Sequence, residues 1–105
     1  MIPASEIEEL VRELASEDCY GLYEIIWSLN RLYPSLPEHE KIEAAIPVLR
    51  RALETGEVML FTATWGSKDH EAIARDQALR MVLRVAAWAP PNEESGGAYI
   101  SFGAP

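Results

Sequence analysis

The sequence predicts an α+β fold, mostly helical, with three to four helices and a two-stranded antiparallel β ribbon. Three observations carry this. Apolar residues recur at helical spacing through the first half of the chain. A glycine stop at Gly56 is followed at once by the β-prone run Val58-Met59-Leu60-Phe61. A second short β-prone run, Ala98 to Phe102, follows a polar, glycine-containing segment. The length of 105 residues suits one domain, 1–105, able to bury a core without staples.

The first helix is expected from about Glu6 to Ser16. Ser5-Glu6-Ile7-Glu8 fits a capping box, in which hydroxyl and carboxylate satisfy free backbone donors. Ile7, Leu10, Val11 and Leu14 give one apolar face. Asp18 is a candidate N-cap for a second helix over about Cys19 to Tyr33. Its stripe is Leu22, Ile25, Ile26, Leu29 and Leu32, and Tyr23, Trp27 and Tyr33 widen it. Pro34 and Pro37 end that helix and open a third, about Glu38 to Thr55, with Ile42, Ala45, Ile46, Leu49 and Leu53 inward. Pro47 removes one backbone donor, so a kink or break is expected near Ala44–Ile46.

Gly56 allows the left-handed turn that closes the helix. A strand from Glu57 to Trp65 follows, with Met59, Phe61, Ala63 and Trp65 on one side and Val58, Leu60, Thr62 and Thr64 on the other. After a turn at Gly66-Ser67-Lys68-Asp69, a fourth helix begins somewhere between Asp69 and Asp76. Ala78, Leu79, Val82, Val85 and Ala86 form its apolar side, and Trp88 is a core plug before Pro90-Pro91. Strand pairing is expected to be antiparallel; the connection is also long enough for a parallel crossover. A helical domain running straight into a strand at Gly56 has a winged-helix-like outline.

Charge narrows the function. The net charge is -8. Residues 1–57 hold twelve acids and five bases, net -7; residues 58–105 hold five acids and four bases, net -1. A DNA-binding domain draws affinity from Lys and Arg on phosphates, so nucleic acid is disfavoured and a basic protein is steered in. The single cysteine, Cys19, excludes an internal disulfide and suits a reducing compartment. With no basic-then-apolar leader and no long apolar run, a cytoplasmic location and no membrane contact are expected.

No catalytic set emerges. His39 and His70 have no partner at ligand spacing, and neighbours in Glu38-His39-Glu40 point apart on a helix, so no metal is implied. Cys19 sits beside Glu17 and Asp18 and lacks the cation that would activate it. Ser95-Gly96-Gly97 precedes a strand rather than a helix, so it is a turn and not a phosphate loop, and no cofactor is implied. An enzyme is therefore disfavoured.

The candidate partner-binding residues are Glu6, Glu9, Glu13 and Glu17, with Trp65. At about 100° per residue the four glutamates fall on one strip beside the apolar face of the first helix. Glu13 and Glu17 also lie toward the negative end of the helix dipole, a mild conflict that a cation-facing surface would explain. The competing interpretation is a solvated face. Trp65, at a strand end beside Gly66, is a candidate interface anchor.

Gly21-Leu22-Tyr23-Glu24-Ile25-Ile26-Trp27, the run Leu49 to Leu60, Ala78-Leu79 and Trp88-Ala89-Pro90-Pro91 with the final strand resemble small uncharacterised bacterial proteins of winged-helix-like outline. Some proteins of that kind serve as immunity or antitoxin partners. The resemblance implies a fold more than an activity. The leading expectation is a small acidic interaction module of immunity type that neutralises a basic toxin or nuclease. The alternatives are a winged-helix DNA-binding regulator, which would have to tolerate Glu38, Glu40 and Glu43 on its recognition segment, and an enzyme. A homo-oligomer is left open.

Overall fold

A computed structural model describes residues 2–105. The order is α1 (Ala4–Glu17), β1 (Tyr20–Gly21), α2 (Leu22–Leu32), α3 (Glu38–Glu54), β2 (Met59–Thr64), β3 (His70–Ala72), α4 (Arg75–Met81), a 3-10 turn (Val85–Trp88) and β4 (Ala98–Gly103). Helix outweighs strand, as expected. The sheet, however, has four strands in the order β1-β4-β2-β3, all antiparallel, and not two. The extra strands leave no sequence signal because they are short: two residues in β1 and three exposed ones in β3. The expected pairing of the two longer strands is antiparallel, with Leu60 opposite Phe102 and Phe61 opposite Ser101.

Several helix ends differ from expectation for identifiable reasons. Helix α1 starts at Ala4 after Pro3, with no side-chain cap, so Ser5 lies inside the first turn and forms no capping box. Asp18 closes α1 rather than opening α2: its backbone N–H donates to the Leu14 carbonyl at 3.2 Å, and its side chain accepts from the Cys19 N–H at 2.8 Å. The start of α2 is set instead by Glu24, whose carboxylate reaches back to the Gly21 N–H at 2.9 Å. Helix α3 runs unbroken through Pro47, which is exposed. Glu43, whose carbonyl loses its donor, is an exposed residue as well, so the proline costs less than it would against the core.

At the junction after α3, Gly56 has φ 79° and its N–H donates to Leu53, while the Glu57 N–H donates to Ala52 at 2.9 Å. These bonds satisfy the final carbonyls of α3 and aim the chain directly into β2.

One contiguous apolar core joins Ile7 and Val11 of α1, Leu22, Ile25 and Leu29 of α2, Ile42, Leu49 and Leu53 of α3, Ala78 of α4, and Leu60 and Phe102 of the sheet. Trp88 is the plug expected of it: it is 2% exposed and its indole N–H donates to the Val82 carbonyl at 3.0 Å. Three residues assigned to buried stripes are exposed: Leu32 at 63%, Val85 at 63%, and Ala86. Leu32 is the last residue of α2, at its open end, while Val85 and Ala86 lie in the 3-10 turn beyond α4, where the periodicity of that helix no longer holds. Phe61 and Tyr23 are buried outside the central cluster, on the other face of the sheet.

Two outcomes follow for stability. Trp88→Ala removes the plug and its hydrogen bond and should cost about 3–5 kcal/mol, read by urea unfolding. The Ser101 hydroxyl is buried without a partner, so Ser101→Ala should raise the thermal midpoint, by an equivalent of about 1 kcal/mol, because no bond is lost and a desolvated hydroxyl is removed.

Candidate functional sites on the acidic helix and the aromatic groove

The acidic strip of α1 is open. Glu6, Glu9, Glu13 and Glu17 are all exposed. Among the described residues the ion pairs are Arg12–Glu8 and Arg50–Glu54, each at 3.9 Å, and neither uses a strip residue. The four do not act as one row. Glu6, Glu9 and Glu13 line a groove of about 360 Å³ with Leu10, Leu32 and Tyr33, where the α1 surface meets the end of α2. Glu6 accepts the Tyr33 hydroxyl, which ties the groove walls together. Glu17, one turn beyond Glu13, does not line this groove and instead accepts the Tyr20 hydroxyl at 3.0 Å. Exposed Leu32 thus becomes the apolar floor beside three carboxylates.

Trp65 is 69% exposed at the end of β2. Its backbone N–H donates to the Gly97 carbonyl at 2.8 Å, which extends the β2–β4 ladder by one step. Gly97 has φ 82°, a left-handed backbone that L side chains rarely adopt. A glycine is therefore what lets the 92–97 loop lie against the tryptophan. The loop holds its shape through Asn92 and Ser95, which bond reciprocally at 2.8 and 3.2 Å.

Trp65 is not alone. With Tyr23, Trp27, Pro90 and Pro91 it lines a groove of about 700 Å³, edged by Asn92 and Glu93. Trp27 was expected at the core edge and is 53% exposed. Tyr23 and Trp27 meet edge to face, with ring centroids 4.7 Å apart, and Tyr23 meets Tyr99 in the same way at 5.6 Å. This row buttresses Trp27 so that its ring stands out from α2. The sequence held the signal: Trp27 adjoins the stripe residue Ile26 and lies one turn beyond Tyr23, at the margin of the apolar face. What brings Pro90, Pro91 and Trp65 beside it is the sheet, and that was not visible.

Comparison with protein-family models, with curated proteins and with solved structures finds no match.

The remaining titratable groups do not converge. No group of three or more metal-ligating side chains occurs among the described residues. His70 is exposed and packs edge to face on Phe61 at 4.8 Å, a structural role. Burial first, then the Asp18 carboxylate, pushes the Cys19 thiol up, which keeps it protonated and unreactive. No helix among the described residues is long and apolar enough to cross a membrane.

All four tyrosines are held above the ordinary phenol range. For Tyr20 and Tyr33 the main cause is the hydrogen bond each donates to Glu17 or Glu6. For Tyr23 and Tyr99 it is burial, with Glu24 adding to it. Because the folded state favours the neutral phenol, this contribution to stability is complete below pH about 10 and is lost as pH rises through the folded values. An ultraviolet absorbance titration should place the tyrosine midpoint above that of the urea-unfolded chain; a midpoint at or below it would contradict these contacts.

Proposed function

We propose that the protein is a small acidic interaction module that captures a basic protein, in the manner of an immunity protein neutralising a basic toxin or nuclease. The observation that carries this is the α1 groove: three carboxylates with no ion-pair partner among the described residues, set around an exposed leucine. Unpaired surface carboxylates repel one another and are better satisfied by an incoming cation than by water alone. The apolar floor supplies the contact area that charge by itself does not.

The scaffold is read as winged-helix-like without DNA-binding chemistry. Supporting this are the run of three helices into β2 at Gly56 and the antiparallel return of β4 beside it. Glu38 and Glu40 occupy the first turn of α3, and Glu43 follows. Phosphates would be repelled there.

The test is co-purification with the product of the neighbouring gene, followed by titration at increasing salt. The expected result is a complex that weakens with salt. Exchanging Glu6, Glu9 and Glu13 together for glutamine should weaken it about ten-fold, the sum of several exposed charge contacts. Absence of any complex and of any protection from that product would sink the proposal. Tight duplex binding in a low-salt gel shift would favour the regulator instead.

A further inference from the structure

We propose that the groove between Trp27 and Trp65 receives an arginine-rich segment of the basic partner, its guanidinium groups stacked on the two indoles. This inference rests on the reading of the protein as a binder of basic proteins, and adds a second contact remote from the α1 strip.

Three features of the groove select this occupant. Both indoles are more than half exposed, at 53% and 69%. Tryptophan is the best aromatic partner for a cation, and the planar guanidinium stacks on it as ammonium does not. The charge is complementary: Glu93 edges the groove, and none of its lining residues is a base. Arg31 lies in a separate groove on Trp27, with Tyr20 and Glu24, and donates to the Ser28 hydroxyl at 3.3 Å. The surrounding field is negative as well. After burial, Glu24 contributes to raising both Tyr23 and Tyr99, and Asp18 contributes to raising Tyr99.

Other occupants fit less of this. A proline-rich segment would use the aromatic walls but would leave the rim carboxylate of Glu93 without a role. A second copy of this chain would bring two bodies of net charge -8 together. The groove is also pre-formed, since Trp27 leans on Tyr23 and Trp65 is held at Gly97. Little ordering cost then falls on the protein when the segment docks.

The probe is a capped Arg-Gly-Arg-Gly-Arg peptide, read by tryptophan fluorescence. Trp88 is buried, so a surface ligand reports through the two exposed indoles. The expected result is saturable binding that shields the tryptophans of the unaltered protein from acrylamide. Trp27→Ala and Trp65→Ala should each weaken binding roughly ten-fold, and the lysine counterpart should bind more weakly than arginine. Gln77→Ala, an exposed and uncharged change on α4 that lines neither groove, should leave it unchanged. Absence of saturable binding would overturn the inference, as would equal binding of a glutamate counterpart. A proline-rich peptide binding more tightly would replace it with a polyproline ligand. A concentration-dependent dimer abolished by Trp65→Ala would replace it with self-association. If the arginine peptide fails while the neighbouring gene's product still binds through Glu6, Glu9 and Glu13, this inference falls alone.

Discussion

The structure depends on the insertion of β4 between β1 and β2. Strand β4 pairs on both sides, Phe102 with Tyr20 in one direction and with Leu60 in the other. Phe102 and Leu60 are wholly buried, and through them the sheet joins the core of α1, α2 and α3. Without β4, β1 would be two residues with no partner, and β2 would face the helices with one edge open. The same strand leads out of the 92–97 loop, whose contact with Trp65 sets one wall of the aromatic groove. A long-range pairing thus carries both the packing and the surface.

Charge and apolar surface are divided between two places. The α1 strip offers carboxylates around a small apolar floor, and the β2–loop end offers indoles with a single carboxylate at the rim. The first arrangement suits long-range attraction, since its field extends about a Debye length into solution. The second suits the short-range contact that holds a partner once it arrives.

Local signals in the sequence were faithful where one element decided the outcome. The apolar stripe of α1, the Gly56 stop, the Trp88 plug and the alternation of β2 all follow from neighbours close in the chain. The failures share a different cause. Tyr20-Gly21 forms a strand only because Phe102 and Ser101 come beside it, and nothing in two residues can announce that. Asp18 looks like an N-cap, but β1 intervenes and Glu24 takes the capping role. Pro47 looks like a break, yet exposure makes its lost bond tolerable. The glutamate strip is legible from helical geometry, although Glu17 bonds Tyr20 and does not line the groove of the other three. Trp65 was picked out by its place at a strand end; Trp27 joined it only when tertiary packing turned a core-edge residue outward.

The two outer strands of the sheet are also its shortest. On one side β3 presents three exposed residues, His70, Glu71 and Ala72, with Asp69 and Lys68 just before them. On the other, β1 offers two residues before the chain turns into α2. A foreign strand seeking backbone partners would find a brief, charged ledge on one flank and a helix on the other. The protein can therefore carry exposed tryptophans on its surface without offering the continuous edge from which cross-strand aggregates grow.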